Sequence, residues 1–290
     1  MGTCCLAWAA GYEVRAFRLR RVEVPVLAPR SIPLRVLHLS DLHLTPHRRE
    51  TVDWVRGLAA LEPDLVIDTG DNLAHLDAVP TVLEALEALL GLPGAFVLGS
   101  NDYYGPRPKN PAGYLGGPPR VRGSAPRLPT GDLVAGLTDA GWLDLTNASG
   151  SLSVAGRRVD LVGVDDPHLD LDDYDRARRA RGATAEDEAN LRLAVLHAPY
   201  LRVLDAMTDD EPDLVLAGHT HGGQLAVPGY GALVTNCDLP RRYAKGLHRW
   251  RHEDHQTWLH VSAGLGTSPY TPLRFACPPE ATLLTLVPLH

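Results

Sequence analysis

The chain has 290 residues, of which 44% are apolar and 22% charged, so it is long enough to bury a substantial globular core. Its formal net charge is -7 and it has no strongly basic stretch, which argues against a surface built mainly to bind nucleic acid. Cys4, Cys5, Cys237 and Cys277 have the spacing of neither a disulfide framework nor a zinc finger. We therefore expect reduced thiols in a cytoplasmic protein.

The N-terminal part contains a short apolar run, 4–10, with no basic residue before it. Such a run is too short to span a bilayer and lacks the charged start of a signal peptide. Nothing else in the sequence indicates membrane association. We expect residues 1–32 to form an N-terminal extension with a strand, within a single domain that covers residues 1–290.

Apolar, β-rich runs alternate with helical patterns in the first half of the chain. The β-rich runs predict strands over 33–40, 64–69 and 95–98. Apolar residues at helical spacing predict helices over 51–61 and 81–90. The order β-α-β-α-β indicates parallel strands with helices packed on the sheet.

The stretch 103–130 is rich in Pro, Gly and Arg and has no clear periodicity, which predicts a long loop insertion. A long loop in a compact domain is often functional. The sequence leaves two interpretations open, a lid or specificity element and a simple surface insertion.

The second half repeats the alternation more loosely. A hairpin is predicted over 151–164, with its turn at Ala155-Gly156, and a charged helix is predicted over 171–181. Further strands are predicted over 191–196, 213–217, 232–235, 257–262 and 281–287. The simplest account is an α/β fold with two sheets. His248, His252, His255 and His260 are expected on a solvated surface, whereas His38 is expected inside the core or behind the site.

Five polar clusters follow directly after predicted strands. They are Asp41-Leu42-His43, Gly70-Asp71-Asn72, Gly99-Ser100-Asn101-Asp102, His197-Ala198-Pro199 and Gly218-His219-Thr220-His221-Gly222. In open α/β sheets the carboxyl ends of the strands line the ligand crevice, so these side chains are expected to converge. The mixed carboxylate, imidazole and amide set suits Mn²⁺, Fe or Zn²⁺.

The spacing inside two of these clusters has a physical reason. In an extended segment residues i and i+2 point the same way, so Asp41 and His43 are expected to reach one ion, as are His219 and His221. Taken singly, each cluster has a simpler explanation, since Asp41 or Asp71 can cap a helix and His197 can lie in a turn. Five such coincidences in one chain are improbable.

The clusters, in the order SDLH, TGDN, GSND, LHAPY and AGHTHGGQ, resemble the ordered signature of the calcineurin-like metallophosphoesterase superfamily. Two C-terminal segments, TNCDLPRRYAKGL and SAGLGTSPYTPLRFACPPEATLLTL, are similar to a bacterial subgroup of these enzymes. The resemblance implies a four-layer α/β/β/α sandwich with two mixed sheets. It also implies a phosphate ester of a small molecule as the substrate.

The resemblance further implies a site for two divalent metal ions. The first ion would be bound by Asp41, His43 and His221, and the second by Asn101, His197 and His219, with Asp71 as the bridge. A hydroxide between the two ions would then attack the phosphorus of a phosphate ester, and a phosphodiester is the expected substrate. The alternative is a binding or regulatory protein that keeps the fold with weak catalysis.

The third motif departs from the family pattern G-N-H-D. Aligned without a gap, Ser100 takes the Asn position, whereas a shift by one makes Asn101 the ligand and puts Asp102 in place of the histidine. We prefer Asn101 because a carboxamide oxygen is the expected donor. The general acid is then unassigned, and His168 is a candidate, although an Asp-Pro turn also explains its segment. The candidate catalytic residues are Asp71, Asn101, Asp102 and His168.

Overall fold

The computed structural model describes residues 3–107, 125–180 and 191–289. Its α-helices are α1 (Thr3–Ala7), α2 (Arg49–Gly57), α3 (Val79–Leu90), α4 (Ser100–Tyr103), α5 (Thr130–Asp139), α6 (Tyr174–Ala180) and α7 (Leu201–Asp209). Shorter helical turns are Trp8–Tyr12, Glu13–Arg15, Leu58–Leu61, Pro167–Leu169, His221–Gly223 and Arg241–Tyr243.

The strands, in chain order, are β1 (Arg18–Leu27), β2 (Leu34–Leu39), β3 (Leu65–Asp68), β4 (Gly94–Phe96), β5 (Leu143–Asp144), β6 (Ala148–Val154), β7 (Arg157–Gly163), β8 (Leu191–Leu196), β9 (Leu214–Ala217), β10 (Ala226–Val227), β11 (Gly231–Ala232), β12 (Gly246–His252), β13 (His255–Val261) and β14 (Glu280–Pro288). In the described residues, β1-β14-β2-β3-β4-β5 form one six-stranded sheet and β12-β13-β9-β8-β7-β6 another. Both sheets are mixed, because β14 is antiparallel to β2 and β12 is antiparallel to β13.

The side chains of the central strands point alternately to a core between the two sheets and to the outer helices, which produces four layers. In β2, Leu34 and Val36 point into a core shared by both sheets, whereas Leu37 packs against the helices outside. In β8, Leu193 faces the same shared core and Leu196 packs under the outer helices of the second sheet. Successive strand residues point to opposite faces, and each buried Leu contributes about 2 kcal/mol. The result is the expected four-layer α/β/β/α sandwich.

Helices α2, α3 and α5 cover the first sheet, and α6 and α7 cover the second. Helix α7 was not predicted from the sequence, although its buried residues follow helical spacing. They are Val203, Leu204, Met207 and Thr208.

The histidine-rich stretch near the C-terminus is not a solvated surface run, so that prediction was wrong for His260. It forms the hairpin of β12 and β13, and His260 is buried with its Nδ1 2.9 Å from Nδ1 of His38. The parallel pairing of β13 with β9 carries this histidine into the interior.

The predicted loop over 103–130 is described only at its ends. Helix α4 reaches Tyr103 and α5 begins at Thr130, whereas residues 108–124 lie outside the described residues. Within the described ranges, no helix is both long enough and apolar enough to cross a bilayer. The cytoplasmic location stays a prediction.

Candidate metal centre

The five polar clusters meet at one edge of the sandwich. They follow β2, β3 and β4 of the first sheet and β8 and β9 of the second. Asp41, after β2, lies with its Oδ1 3.4 Å from Nε2 of His221, after β9. Asp71, after β3, lies with its Oδ1 3.5 Å from Nε2 of His197, after β8. The carboxyl ends of strands from both sheets therefore build one site, as expected for open α/β sheets.

The first group of converging atoms comes from Asp41, His43 and His221. The Nε2 atoms of the two imidazoles are 3.1 Å apart, and Oδ1 of Asp41 is 3.9 Å from Nε2 of His43. All three residues are buried, and their candidate ligand atoms lie within 4.8 Å of one another. Three N and O donors at this spacing can hold a divalent cation.

The second group comes from Asp41, Asp71 and His197, again with candidate atoms within 4.8 Å of one another. Asp71 also reaches the first group, because its Oδ2 is 3.6 Å from Nε2 of His43. Its two carboxylate oxygens thus face histidines of the two different ligand sets.

The chemistry of these atoms fits metal ions. Among the described residues, Oδ1 of Asp41 and Nε2 of His197 are buried polar atoms without a hydrogen-bond partner, and both face the centre. Burial lowers the pKa of His43 to about 4 and that of His221 to about 3. Both imidazoles are therefore neutral near pH 7 and present the lone pair that a metal ligand needs.

Backbone carbonyls orient two of the histidines. Nδ1 of His197 lies 2.7 Å from the carbonyl oxygen of Thr69, which fixes the proton on Nδ1 and leaves Nε2 free. Nε2 of His219 lies 3.2 Å from the carbonyl oxygen of Asn236, which leaves Nδ1 free. The ring centroid of His219 lies 5.2 Å from that of His197. His219 therefore neighbours the second group, but it is not one of the three residues whose candidate atoms lie within 4.8 Å of one another. Such outer hydrogen bonds hold metal-binding histidines in one tautomer.

Asn101 contacts Asp71 through both its backbone and its side chain. Its N–H donates to Oδ1 of Asp71 and its Nδ2 donates to Oδ2, each at 2.7 Å. Oδ1 and Nδ2 of a carboxamide exchange places by a half-turn, so the oxygen can face the centre instead. Ser100 is buried one residue earlier, with its Oγ 3.4 Å from Nδ2 of Asn101.

Asp102 is fully buried and is surrounded by backbone donors. Its carboxylate accepts hydrogen bonds from the N–H groups of Gly99, Asp71, Asn72 and Leu73, at 2.8 to 3.3 Å. Burial, followed by the nearby Asp71, raises the pKa of Asp102 to about 8. This hydrogen-bonding pattern positions the loop that carries Asp71, and it favours a positioning role over proton donation.

His168 lies next to His219. Its ring centroid is 4.8 Å from that of His219, and its Nδ1 is 3.0 Å from the hydroxyl of Tyr200. The turn that carries it begins at Asp166, whose Oδ1 accepts the His168 N–H at 3.0 Å. The segment is thus both an Asp-Pro turn and a neighbour of the site.

The backbone of the site is unusual, and the expected extended geometry of the two i, i+2 pairs was wrong. Five site residues have positive φ, namely Asp41 (52°), His43 (42°), Asp71 (59°), His219 (69°) and His221 (49°). The left-handed region costs a non-glycine residue on the order of 1 kcal/mol. Left-handed backbone conformations, and not strand alternation, therefore orient these side chains towards the centre. Backbone strain of this kind is typical of functional sites.

Close backbone approach explains one glycine of the third motif. A Cβ at Gly99 would clash with Oδ1 of Asp71 and with the ring of His197. A side chain here would therefore push apart the two residues of the second group.

Arg274 contacts His221 of the first group. Its guanidinium is fully buried and donates to the carbonyl oxygens of Ala263, Gly264 and Gly266 at 2.7 to 3.0 Å. Its Nη2 also lies 3.2 Å from Nδ1 of His221. These contacts give Arg274 a structural role.

A sandwich of this kind with a buried carboxylate and histidine centre is typical of metal-dependent phosphoesterases. A family model described as calcineurin-like phosphoesterase matches residues 34–223. The chain belongs to the calcineurin-like phosphoesterase family and is a metallophosphoesterase, a hydrolase that acts on ester bonds.

Relatives match over most of their length. The phosphodiesterase YaeI of Escherichia coli is 28% identical over 281 residues, covering 93% of this chain and 88% of the relative. The uncharacterised protein YpbG of Bacillus subtilis is 29% identical over 258 residues, covering 88% and 81%. Among solved structures, the NAD nucleotidase of Haemophilus influenzae matches with a TM-score of 0.50 and 13% identity. That match covers 87% of this chain but 49% of the nucleotidase, and it bears on the fold alone.

Proposed function

We propose that this protein is a phosphodiesterase that uses two divalent metal ions, Mn²⁺, Fe or Zn²⁺, to hydrolyse a phosphodiester in a small molecule. The observation that supports it most is the placement of Asp71. This buried carboxylate lies 3.6 Å or less from an imidazole nitrogen of each proposed ligand set. The name of the Escherichia coli relative supports a diester as the substrate.

The proposed ligand sets follow the contacts. The first ion would be held by Asp41, His43 and His221, the second by His197, His219 and Asn101, with Asp71 between them. When bound, the two ions would polarise the phosphoryl oxygens and lower the pKa of a water molecule.

The chain's own residues hold this arrangement in place. Asp102 accepts hydrogen bonds from three backbone N–H groups of the loop that carries Asp71 and from that of Gly99. The carbonyl oxygen of Thr69 holds the ring of His197. These buried hydrogen bonds position the ligands before substrate arrives, and electrostatic stabilisation of a transition state requires such preorganisation.

We also propose that His168 donates the proton to the leaving oxygen, since the third motif lacks its usual histidine. Its ring lies next to that of His219, and the hydroxyl of Tyr200 holds its Nδ1 at 3.0 Å. The opposite nitrogen, Nε2, is then the proton donor. Positioned general acids typically contribute about 10²–10⁴ in rate.

The test is hydrolysis of bis(4-nitrophenyl) phosphate and 4-nitrophenyl phosphate by protein loaded separately with Mn²⁺, Zn²⁺ and Fe²⁺. We expect turnover of the diester with at least one metal, slower turnover of the monoester, and none after chelation. Metal binding without hydrolysis of either compound would favour a binding or regulatory protein.

A further inference from the structure

A large cleft lies next to His219 of the metal centre, because Asn236 both lines the cleft and contacts that histidine. Its volume is about 1080 Å³, and its walls come from β10, β11, the following loop and the turn Arg241–Tyr243. We call it the basic cleft, because its polar lining includes Arg241, Arg242 and Lys245.

The charge of the basic cleft is one-sided. Among the described residues, none of those lining it is an aspartate or a glutamate. Within the residues that the structure describes, no carboxylate oxygen lies within 4.0 Å of a side-chain nitrogen of Arg241, Arg242 or Lys245. The whole chain carries a net charge of -7, so three cations without an acidic partner form a local positive field.

The walls of the cleft also position the metal centre. Asn236 lines the cleft, and its carbonyl oxygen lies 3.2 Å from Nε2 of His219. Ala244 lines it as well, and its carbonyl oxygen accepts a hydrogen bond from Thr220 at 2.6 Å. A molecule in the cleft is thus one residue layer away from the proposed second ligand set.

The cleft offers apolar contacts beside its charges. The guanidinium of Arg241 lies 5.1 Å from the centroid of the Tyr230 ring, and Tyr230 is exposed. Val227 and Leu239 line the same space. Arginine and aromatic groups side by side are suited to an organic anion, whose charge pairs with the guanidinium and whose carbon skeleton packs on the ring.

We propose that the basic cleft binds a second phosphate group of the substrate, joined by an apolar or planar linker to the phosphate at the metal centre. The substrate class is then an organic compound with two separate phosphoryl groups, one to be cleaved and one to be recognised. This inference rests on the proposed function, because the first phosphate must lie at the metals.

Binding of non-hydrolysable compounds tests the proposal directly. Calorimetry on the Mn²⁺-loaded full chain would compare propylphosphonate with alkane bisphosphonates of increasing length. We expect at least one bisphosphonate to bind about tenfold more tightly than propylphosphonate, as a charge-assisted contact allows. Equal affinity for all of these compounds would overturn the proposal.

Variants of the cleft arginines test whether the second phosphate binds in the basic cleft. The double change Arg241→Gln and Arg242→Gln should remove the tenfold preference while leaving propylphosphonate binding unchanged. Arg251→Gln, an exposed arginine of β12 outside the cleft, is the matched control and should keep the preference. If the double variant keeps the full preference, the second phosphate does not bind in the cleft.

Hydrolysis separates this inference from the proposed function. The double variant should cleave bis(4-nitrophenyl) phosphate with unchanged kcat/KM, since that substrate has no second phosphate. Failure of the wild-type protein to cleave it would count against the proposed function, whereas the phosphonate comparison would still decide the cleft.

Discussion

Asp71 is the residue on which the proposed site depends most, because each of its oxygens faces a different ligand set. We expect Asp71→Asn to lower metal content and to reduce kcat/KM by more than about a hundredfold, since even outer-shell partners of a metal cost 10–100-fold. Metal analysis and the diester assay measure both effects. Asp77→Asn, at an exposed position of the same loop, is the control. Full activity with normal metal content in Asp71→Asn would rule out the bridging role.

His168 provides a second prediction at the residue scale. Nitrophenolate leaves without a proton, whereas an alkoxide needs one, so the wild-type protein should cleave nitrophenyl diesters faster than alkyl diesters. We expect His168→Gln to slow alkyl diesters by about 10²–10⁴ and nitrophenyl diesters far less. The measurement is kcat for both substrate types, under conditions where chemistry limits turnover.

Tyr200→Phe tests the positioning of that histidine. It removes the hydroxyl 3.0 Å from Nδ1 of His168 and should produce the same selective loss, in weaker form. Equal losses for alkyl and nitrophenyl diesters in His168→Gln would contradict a proton-donor role.

At the residue scale, sequence reasoning grouped side chains that lie together in the structure, but it did not predict how their backbone orients them. Order and residue type placed Asp41, Asp71 and His197 at strand ends, and these residues do lie together. The left-handed backbone of Asp41 and the four N–H groups around Asp102 depend on distant loops. No local pattern in a single sequence encodes such contacts.

At the scale of elements, the loop after β4 must pass very close to the loop after β3. We expect Gly99→Ala to reduce activity strongly and to destabilise the fold by about 1–3 kcal/mol, because its Cβ would meet Asp71 and His197. Gly57→Ala, at the end of α2, has nothing within 4 Å of its added Cβ and should change neither. Denaturant unfolding and the diester assay measure the two effects. A fully active and stable Gly99→Ala protein would contradict the close approach.

The contact between His38 of β2 and His260 of β13 makes stability depend on pH. Burial lowers the pKa of His260 to about 3, and burial together with His260 lowers that of His38. In the unfolded chain these histidines have an ordinary pKa near 6.5, so they bind protons at a pH at which they are still neutral in the folded chain. Folding stability from these groups is present above about pH 6.5 and is lost as pH falls towards 3, by about 2 kcal/mol at pH 5 for His260.

We therefore expect His260→Gln to lose less unfolding free energy than the wild-type protein between pH 7 and pH 5. Urea denaturation at both values measures the difference. The exposed His75, changed to Gln, should follow the wild-type curve. Parallel losses in all three proteins would show that the buried pair does not control acid stability.

Sequence periodicity predicted the central strands well and the peripheral ones poorly. The predicted strand over 191–196 coincides with β8, and β2 and β3 lie within one or two residues of prediction. Strands buried on both faces are continuous apolar runs, which are easy to recognise. Strand β12, with two exposed arginines, has no such run and forms through pairing with β13.

At the scale of the whole molecule, the order of strands could not be predicted from local patterns. The C-terminal β14 inserts between β1 and β2, so the first and last strands of the chain are neighbours. This pairing depends on contacts between residues more than two hundred positions apart. It completes the first sheet, whose carboxyl edge meets that of the second sheet at the metal centre.

The central claim is that loops from both sheets bind two cations around Asp71. An anomalous difference map from crystals grown with Mn²⁺ tests it most directly. The account predicts two peaks, one in contact with Asp41, His43 and His221 and the other with His197, His219 and Asn101, both touching Asp71. A single peak, or peaks remote from Asp71, would contradict it.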